Sequence, residues 1–137
     1  MKISTVFFAA LVGVAASAPA HAEGRLDKIK SSGTITIGHR DASIPFSYLD
    51  DKQKPIGYSM EICEKAVEAI KAKLGMAQIK VNLVPVTSST RIPLVANGTV
   101  DLVCGSATNT VERQQQVAFA PTTFVTATRF AAKKSSN

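Results

Sequence analysis

Short runs of β-branched residues alternate with helical runs along this chain, and this alternation is the feature that most limits its fold. Residues 34–38 (TITIG), 79–86 and 100–103 have the β-branched and apolar content of strands. Between them, residues 59–74 carry an apolar stripe at helical spacing, and residues 91–96 form a shorter helical run. Strands that alternate with helices fold into a sheet containing parallel pairs. We therefore expect an α/β domain with a mixed, mostly parallel sheet flanked by helices.

Polar and glycine residues mark where these elements begin and end. Ser59 is a candidate N-cap for the long helix, and Gly75 fits its C-terminal stop. Asn109 can cap a later helix, with Glu112 at the third helical position in a capping-box arrangement. Residues 122–130 are a further β-branched run. The chain has no internal repeat of fixed period and the size of about one small domain.

The first 22 residues have the three-part pattern of a secretory signal. Lys2 supplies the charged start, residues 6–16 form the apolar core, and residues 20–22 (Ala-His-Ala) make an A-x-A cleavage site. The apolar run is too short to span a membrane comfortably, and no later segment is long or apolar enough. The expected product starts at Glu23 and is exported and soluble, which in a diderm bacterium means the periplasm.

Charges and cysteines exclude several classes of function. The formal net charge of +6 is spread along the chain, and no stripe of arginine and aromatic residues indicates nucleic-acid binding. Cys63 and Cys104 are the only cysteines, and an oxidising compartment favours a disulfide between them over two free thiols. With His39 as the one histidine after the leader, the cysteines lack the spacing of a metal site. We expect no metal, no cofactor and no nucleic-acid partner.

Hydroxyl residues and arginines occur twice in the same arrangement. A first hydroxyl cluster, residues 87–90 (TSST), stands directly before Arg91, and a second, within residues 106–110 (SATNT), precedes Arg113. A third arginine, Arg40, follows the first strand-like run. Hydroxyls, helix-start N–H groups and guanidinium forks are the parts of a carboxylate-binding pocket. The repetition suggests a site for a small ligand with two negative charges.

Three longer stretches resemble one known family in their order and spacing. They are residues 26–51 (LDKIKSSGTITIGHRDASIPFSYLDD), 55–75 (PIGYSMEICEKAVEAIKAKLG) and 84–120 (VPVTSSTRIPLVANGTVDLVCGSATNTVERQQQVAFA). In them the chain resembles the periplasmic solute-binding proteins of ATP-driven polar amino-acid importers, most closely the glutamate/aspartate-binding branch. The resemblance covers nearly all of residues 26–129 and is specific, whereas a lone IPFSY or GYS would be weak.

The resemblance implies a two-lobed, type II periplasmic-binding-protein-like fold that closes on one amino acid. Such a protein, a monomer, delivers its ligand to the membrane permease of an ABC importer. The positions that match residues holding the ligand's side-chain carboxylate are Arg40, Ser88, Arg91 and Ser106. Thr108, expected at the start of its helix, and Arg113 match residues that hold the α-carboxylate. Glutamate and aspartate carry two carboxylates, and an arginine can receive each through paired hydrogen bonds.

The chain differs from the resembled family in length, because family members have about twice its mature length and insert a second lobe after the first. We expect a signal peptide over residues 1–22 and a partial first lobe over residues 23–132. Residues 133–137 would be a polar tail where the family's backbone crosses to the second lobe. The sequence would then represent a truncated gene, a split product or a partial record.

Two other functions stay open on the sequence. One is an enzyme on the same scaffold, such as a periplasmic dehydratase of a carboxylated substrate. For it, Asp41 and Glu112 are the only nearby acids, and His39 is the only imidazole. The other is a non-functional fragment, since the first lobe is incomplete. The leading interpretation is an acidic amino-acid-binding module that performs no covalent chemistry. The choice between glutamate and aspartate depends on the missing lobe.

Overall fold

A computed structural model of the chain describes residues 24–127 and 129–133. The predicted signal peptide, residues 1–22, and residues 134–137 of the predicted polar tail lie outside the described residues. In chain order the helices and strands are α1 (Arg25–Ser32), β1 (Thr34–His39), β2 (Ala42–Ser43), β3 (Ser47–Leu49), β4 (Pro55–Ile56), α2 (Tyr58–Leu74), β5 (Lys80–Pro85), α3 (Arg91–Ala96), β6 (Leu102–Cys104) and α4 (Val111–Gln114). From α2 onward, helices and strands alternate along the described part, as the sequence pattern predicts, whereas four strands in a row precede α2.

The main sheet consists of three parallel strands in the order β5–β1–β6. β1 pairs with β5 along its whole length and with β6 over its last residues. His39 stands opposite both Pro85 and Cys104, so the three strands end at one level. The predicted α/β fold with a parallel sheet is confirmed. The loops that follow the three strands therefore start from the same edge.

Between β1 and α2 in the sequence, three short strands form a second, antiparallel sheet in the order β2–β3–β4. The sequence did not predict this sheet. Its strands are two or three residues long, too short for an alternation of apolar and polar residues to show. Asp50 Oδ1 accepts hydrogen bonds from the N–H groups of Lys52 and Lys54, which closes the turn before β4. The N–H of Leu49 donates to the carbonyl of Asp41 (3.1 Å), so this small sheet is tied to the segment directly after β1.

Helices α1 and α2 bury their apolar residues against one face of the main sheet. Ile35 and Ile37 alternate along β1 and so share that face. The core there consists of Ile29, Ile35, Ile37, Met60, Cys63, Val67 and Cys104. Cys63 and Cys104 form a disulfide with Cα atoms 6.2 Å apart, which confirms the predicted pairing. By chain entropy, a cross-link over 41 positions stabilises the fold by about 4 kcal/mol.

Valines close the opposite face of β1 around Gly38. A Cβ added to Gly38 would lie 3.0 Å from side-chain atoms of both Val86 and Val103, and 3.2 Å from Val100. Val86 and Val100 are buried, and the N–H of Val100 donates to the carbonyl of Leu94 in α3 (2.9 Å). Glycine at this position therefore lets the valines of three segments meet over the central strand.

Helix α2 starts at Tyr58, one residue before the predicted cap Ser59. Its N-cap is Gly57 at φ 120°, where an added Cβ would lie 2.7 Å from the carbonyl oxygen of Pro45. The Ser59 prediction is wrong because the close approach of the preceding loop requires glycine at the cap. Ser59 is buried in the first turn, and its Oγ donates to the carbonyl of Gly105 (3.1 Å). The predicted stop at Gly75 is confirmed, with φ 64°.

Helix α4 is one turn long and is capped one residue later than predicted. Thr110, not Asn109, is the N-cap, and its Oγ1 accepts a hydrogen bond from the N–H of Arg113 (3.3 Å). Glu112 is then the second helical residue, so the predicted capping box is not formed. The side chain of Asn109 instead accepts a hydrogen bond from Gln114 Nε2 (2.8 Å).

The β-branched run at 122–130 contains no strand in its described residues, 122–127 and 129–130. Aromatic contacts hold it against the start of α2. The ring of Phe124 lies 4.9 Å from that of Phe46 and 6.3 Å from that of Tyr58, both edge to face. Tyr58 Oη also donates to the carbonyl of Thr123 (2.8 Å). Side-chain packing, not strand pairing, positions this run.

Candidate ligand-binding site

Three of the predicted site residues follow the three strands of the main sheet. Arg40 comes one residue after β1, Ser106 two residues after β6 and Ser88 three residues after β5. Because the strands end at one level, these residues lie at the carboxyl edge of a parallel sheet. In open α/β sheets, ligands bind outside this edge. The fold thus brings distant parts of the sequence to the place where a ligand site is expected.

Arg40 is held at three points along its length. Its backbone N–H donates to Ser47 Oγ (2.9 Å), and its Nη1 donates to Ser88 Oγ (3.0 Å). Between these points its Cγ lies over Gly105, where an added Cβ would come within 3.0 Å. Its Nε is buried and has no hydrogen-bond partner among the described residues. Arg40 is therefore held in place while one of its donors stays unused.

Arg91 is the first residue of α3 and is buried, with 7 % of its surface exposed. Its Nε also lacks a hydrogen-bond partner within the part of the chain that the structure describes. Burial lowers the pKa of the Arg91 guanidinium, and the positive charges of Arg113 and Arg40 lower it further. Arginine nevertheless stays protonated at neutral pH. An anion beside Arg91 would offset both its loss of hydration and the repulsion from the other two arginines.

Arg113 belongs to α4 and is tied to the loop before it. Its Nη1 donates to the carbonyl of Thr108 (2.9 Å), and its N–H donates to Thr110 Oγ1. The prediction that Thr108 lies at the start of this helix is wrong. The helix begins at Val111, because Thr110 supplies the cap, and Thr108 belongs to the preceding loop. Thr108 and Arg113 are nevertheless brought together by the hydrogen bond between them.

The three predicted hydroxyl residues of the site, Ser88, Ser106 and Thr108, are exposed. Ser88 accepts the hydrogen bond from Arg40, whereas the side chains of Ser106 and Thr108 make no hydrogen bond within the described residues. The rest of the first hydroxyl cluster, residues 87–90, is bonded within itself and forms the turn into α3. Two hydroxyl groups therefore remain available to a ligand.

Arg40, Arg91 and Arg113, here called the arginine cluster, have no carboxylate partner among the described residues. Ion pairs of this part of the chain involve other groups, such as Asp101 with Lys28. Uncompensated positive charge at a sheet edge, with unused N–H donors, attracts small anions. Guanidinium groups do not deprotonate in proteins, so the arginine cluster can bind and orient an anion but cannot act as a base.

Ser47, Ser59 and Gly105 support the site, and they are not among the site residues predicted from the sequence. The two buried serines form hydrogen bonds with the backbone of Arg40 and of Gly105. These partners are 7 and 46 positions away in the sequence, so no local pattern reveals the contacts. A glycine directly after a strand is a weak signal of close backbone approach, and it applies to Gly105.

Acid–base groups near the site are few. His39 is 6 % exposed, and its Nδ1 lies 3.4 Å from Asp41 Oδ1. Asp41 and Glu112 are exposed. Within residues 24–127 and 129–133, no group of three or more His, Cys, Asp and Glu side chains could hold a metal ion. The chemistry that the site offers is therefore mainly charge and hydrogen bonding.

The described residues form a parallel α/β sheet with three arginines that lack carboxylate partners at its carboxyl edge, where ligands bind in open α/β sheets. The chain belongs to the bacterial extracellular solute-binding proteins, family 3, whose family model matches residues 35–137. The resemblance predicted from the three sequence stretches is confirmed. Among the described residues, no helix has the length and apolar character needed to cross a membrane.

Two curated relatives are about half identical to the chain. The L-glutamate/L-aspartate-binding protein of Pseudomonas aeruginosa is 54% identical over 139 residues, which cover 98% of this chain and 45% of that protein. The glutamate/aspartate import solute-binding protein of Escherichia coli K12 is 52% identical over 118 residues, 86% of this chain and 39% of that protein. The chain thus spans less than half the length of these relatives.

Solved structures share the fold. A mutant of the arginine-bound form of domain 1 from TmArgBP has a TM-score of 0.61 and 25% identity, over 72% of this chain and 71% of that chain. An ancestral cyclohexadienyl dehydratase has a TM-score of 0.58 and 28% identity, over 69% of this chain and 36% of that chain. The predicted periplasmic-binding-protein-like fold is confirmed.

Proposed function

We propose that this chain is part of an extracytoplasmic protein that binds glutamate or aspartate for delivery to an ABC-type importer. The observation that carries the proposal is Arg91, a buried guanidinium with an unused donor and a pKa lowered by burial and by two neighbouring arginines. A dicarboxylic amino acid supplies the negative charges that the arginine cluster lacks. A neutral or basic amino acid would leave guanidinium groups unpaired in a partly dry site, which is unfavourable.

The two carboxylates of the ligand would be received by different residues. Arg40, Ser88, Arg91 and Ser106 come from the strand ends and the start of α3, and would hold the side-chain carboxylate. Thr108 and Arg113, joined by their hydrogen bond, would hold the α-carboxylate. Arg91 interacts electrostatically with both Arg40 and Arg113, which supports a ligand that engages both groups at once.

The relatives support this ligand class. The P. aeruginosa protein is named for binding L-glutamate and L-aspartate, and the E. coli protein for importing glutamate and aspartate. Because the chain covers less than half of each, we propose that residues 23–132 form part of the first of two lobes. The second lobe would hold the ligand's ammonium group. The TmArgBP structure is a single domain described as arginine-bound, which supports binding by one lobe.

Location and partner follow from the same proposal. The predicted signal peptide, residues 1–22, would export the protein to the periplasm, where the Cys63–Cys104 disulfide persists. The family's description as extracellular supports export. The membrane permease of an ABC importer would be the partner, with the binding protein acting as a monomer. Residues 133–137 would lead to the second lobe.

An enzyme on the same scaffold is the rival function, because an ancestral cyclohexadienyl dehydratase is a structural neighbour. Dehydration needs a general base that reaches the substrate. His39 is buried beside Asp41, while Asp41 and Glu112 are exposed to water. The curated relatives are binding proteins. We therefore propose that the chain performs no catalysis.

Calorimetric titration of the full chain with glutamate, aspartate, glutamine and lysine tests the proposed ligand. We expect binding heat with the two acidic amino acids, a weaker response with glutamine and none with lysine. Lysine would place its ammonium group against the guanidinium groups of Arg40 and Arg91, and like charges repel. A preference for lysine over glutamate would contradict the assignment of the arginine cluster.

Arg113→Ala should abolish the binding of glutamate, because it removes the proposed partner of the α-carboxylate. Arg129→Ala is the matched control, since Arg129 is an exposed arginine outside the arginine cluster. The same titration should give unchanged glutamate binding for Arg129→Ala. Equal losses in both variants would mean that overall charge, not the cluster, governs binding.

A further inference from the structure

We infer that Ser47 is a positioning residue, which holds Arg40 in the orientation needed to receive the ligand's side-chain carboxylate. The inference rests on the proposed function, in which Arg40 is a ligand contact. Ser47 is the first residue of β3 and is fully buried, with 0 % of its surface exposed. Its Oγ accepts a hydrogen bond from the N–H of Arg40 (2.9 Å) and lies 3.4 Å from the carbonyl oxygen of Arg40, to which it can donate.

Arg40 needs such a partner because it lies beyond the end of β1. The last backbone hydrogen bond there runs from the N–H of Val86 to the carbonyl of His39 (2.8 Å). Beyond this point the N–H of Arg40 donates to the Ser47 hydroxyl instead of to a carbonyl group of a neighbouring strand. This N–H is partly buried, and a backbone N–H shielded from water without a partner is unfavourable. One side chain in the small sheet thus sets where the main chain of Arg40 stands.

The other two contacts of Arg40 are weaker constraints on its position. The guanidinium donates to Ser88, which is an exposed residue. The stem lies over Gly105, a contact that limits but does not direct the side chain. Losing the Ser47 anchor would let the guanidinium move away from the site. Thr108 and Arg113, which would hold the α-carboxylate, do not depend on this anchor.

If Ser47 only filled space in the core, a different result would be expected. Ser47→Ala would then lower stability and weaken the binding of all ligands equally. If Ser47 is a positioning residue, Ser47→Ala instead weakens the binding of glutamate more than that of glutamine, because glutamate uses Arg40 as the partner of its side-chain carboxylate. Hydrogen exchange at the Arg40 amide shows, without any ligand, whether the hydrogen bond to Ser47 limits the local motion of Arg40, and the ligand preference then distinguishes the two roles.

The experiment compares Ser47→Ala with Val67→Ala in the full chain expressed for export. Val67 is a buried residue of α2 in the main core, so its truncation lowers overall stability without touching Arg40. In Ser47→Ala we expect the Arg40 amide to exchange at least about tenfold faster relative to the amides of β1. The preference for glutamate over glutamine should fall about three- to tenfold, the effect of losing one hydrogen bond. Val67→Ala should change neither the exchange of the Arg40 amide relative to β1 nor the preference for glutamate over glutamine.

Two outcomes would overturn the inference: Arg40 exchange that follows the control, or an unchanged preference for glutamate in Ser47→Ala. A wild-type chain without any preference for glutamate over glutamine would instead reject the proposed function. Ser47→Cys provides a second variant in case the alanine variant does not fold. The thiol nearly keeps the shape but is a weaker acceptor, so its effects should lie between wild type and Ser47→Ala.

Discussion

At the scale of single residues, the arginine cluster lowers the stability of the folded chain. Arg91 and Arg40 each bury an Nε group without a hydrogen-bond partner in the described part of the chain. A buried donor left unpaired costs about 1–3 kcal/mol. Arg91 also carries a positive charge that is partly removed from water and lies near the positive charges of Arg113 and Arg40. A bound carboxylate would remove each of these costs, which is the physical basis of the proposed anion site.

Replacing Arg91 should therefore raise stability. Its pKa is lowered by burial first and by Arg113 and Arg40 next, so the folded state disfavours the charged form. That cost is present at every pH below the lowered pKa, which includes neutral pH. Arg91→Met removes the charge and the unpaired donor but keeps an apolar stem. We expect the free energy of unfolding in urea to rise by about 1 kcal/mol, while glutamate binding is lost.

Salt and a surface variant provide the controls for this prediction. The gain in Arg91→Met should shrink at 1 M salt, where the Debye length is about 3 Å and repulsion between the arginines is screened. Arg129→Met, at an exposed position, should change stability by less than about 0.5 kcal/mol. A loss of stability in Arg91→Met would mean that the guanidinium contributes packing that outweighs its electrostatic cost.

At the scale of elements, one carboxylate joins the first helix to the sheet. Asp101, directly before β6, accepts hydrogen bonds from Lys28 Nζ (2.9 Å) and Arg25 Nη1 (3.3 Å) of α1. Its Oδ2 accepts from the N–H of Thr36 in β1 (2.8 Å). The same two cations donate to the carbonyl of Gly98, just after α3. With its side chain 2% exposed, Asp101 links α1 and β1 to the start of β6, while Arg25 also donates to the carbonyl of Val95 in α3.

Asp101→Ala should be strongly destabilising, because it leaves two cations and a backbone N–H without their shared partner. We expect a loss of about 3 kcal/mol in the free energy of unfolding, measured in urea. Glu68→Ala is the matched control, since Glu68 pairs with Lys71 on the surface of α2. That exposed pair should contribute less than about 1 kcal/mol. Similar losses in the two variants would show that Asp101 is no more than a surface ion pair.

At the scale of the whole molecule, the site is one-sided. Its residues come from one edge of one sheet: Ser88, Ser106 and Thr108 are exposed, Arg40 and Arg113 are half-buried, and Arg91 is buried. An ion pair that stays in contact with water contributes only about 0–1 kcal/mol. A few such contacts must also offset the entropy lost on association. A partner lobe that excludes water would strengthen each of them.

The isolated chain should therefore bind glutamate no more tightly than about 1 mM, a free energy near −4 kcal/mol. Joining it to the remaining part of the P. aeruginosa relative should tighten binding at least about 100-fold, because both carboxylates and the ammonium group would then be enclosed. Isothermal titration of both proteins provides the comparison. The fusion carrying Arg113→Ala is the control and should lose this gain. Micromolar binding by the chain alone would contradict a one-sided site.

The sequence by itself determined the order of the main-sheet strands and of the helices between them, and several of their ends, but not the three short strands β2, β3 and β4. Residues 34–38 and 91–96 were predicted to within about a residue, and Gly75 was recognised as a helix stop. These features arise from neighbouring residues: β-branched content, apolar spacing and the left-handed conformation that glycine adopts. The pairing of Cys63 with Cys104 followed because no third cysteine competes. Residue type and family resemblance also indicated the candidate ligand contacts, which stay predictions.

Only the tertiary structure decided which of these residues meet. Strand order and register brought Arg40 and Ser88 within hydrogen-bonding distance, although they are 48 positions apart. The fold also assigned Ser47 to the backbone of Arg40 and turned Ser59 from a predicted cap into a partner of Gly105. Such contacts depend on how closely segments approach in three dimensions. Local sequence contains the propensity of each segment, but the distance between segments is set by packing of the whole core.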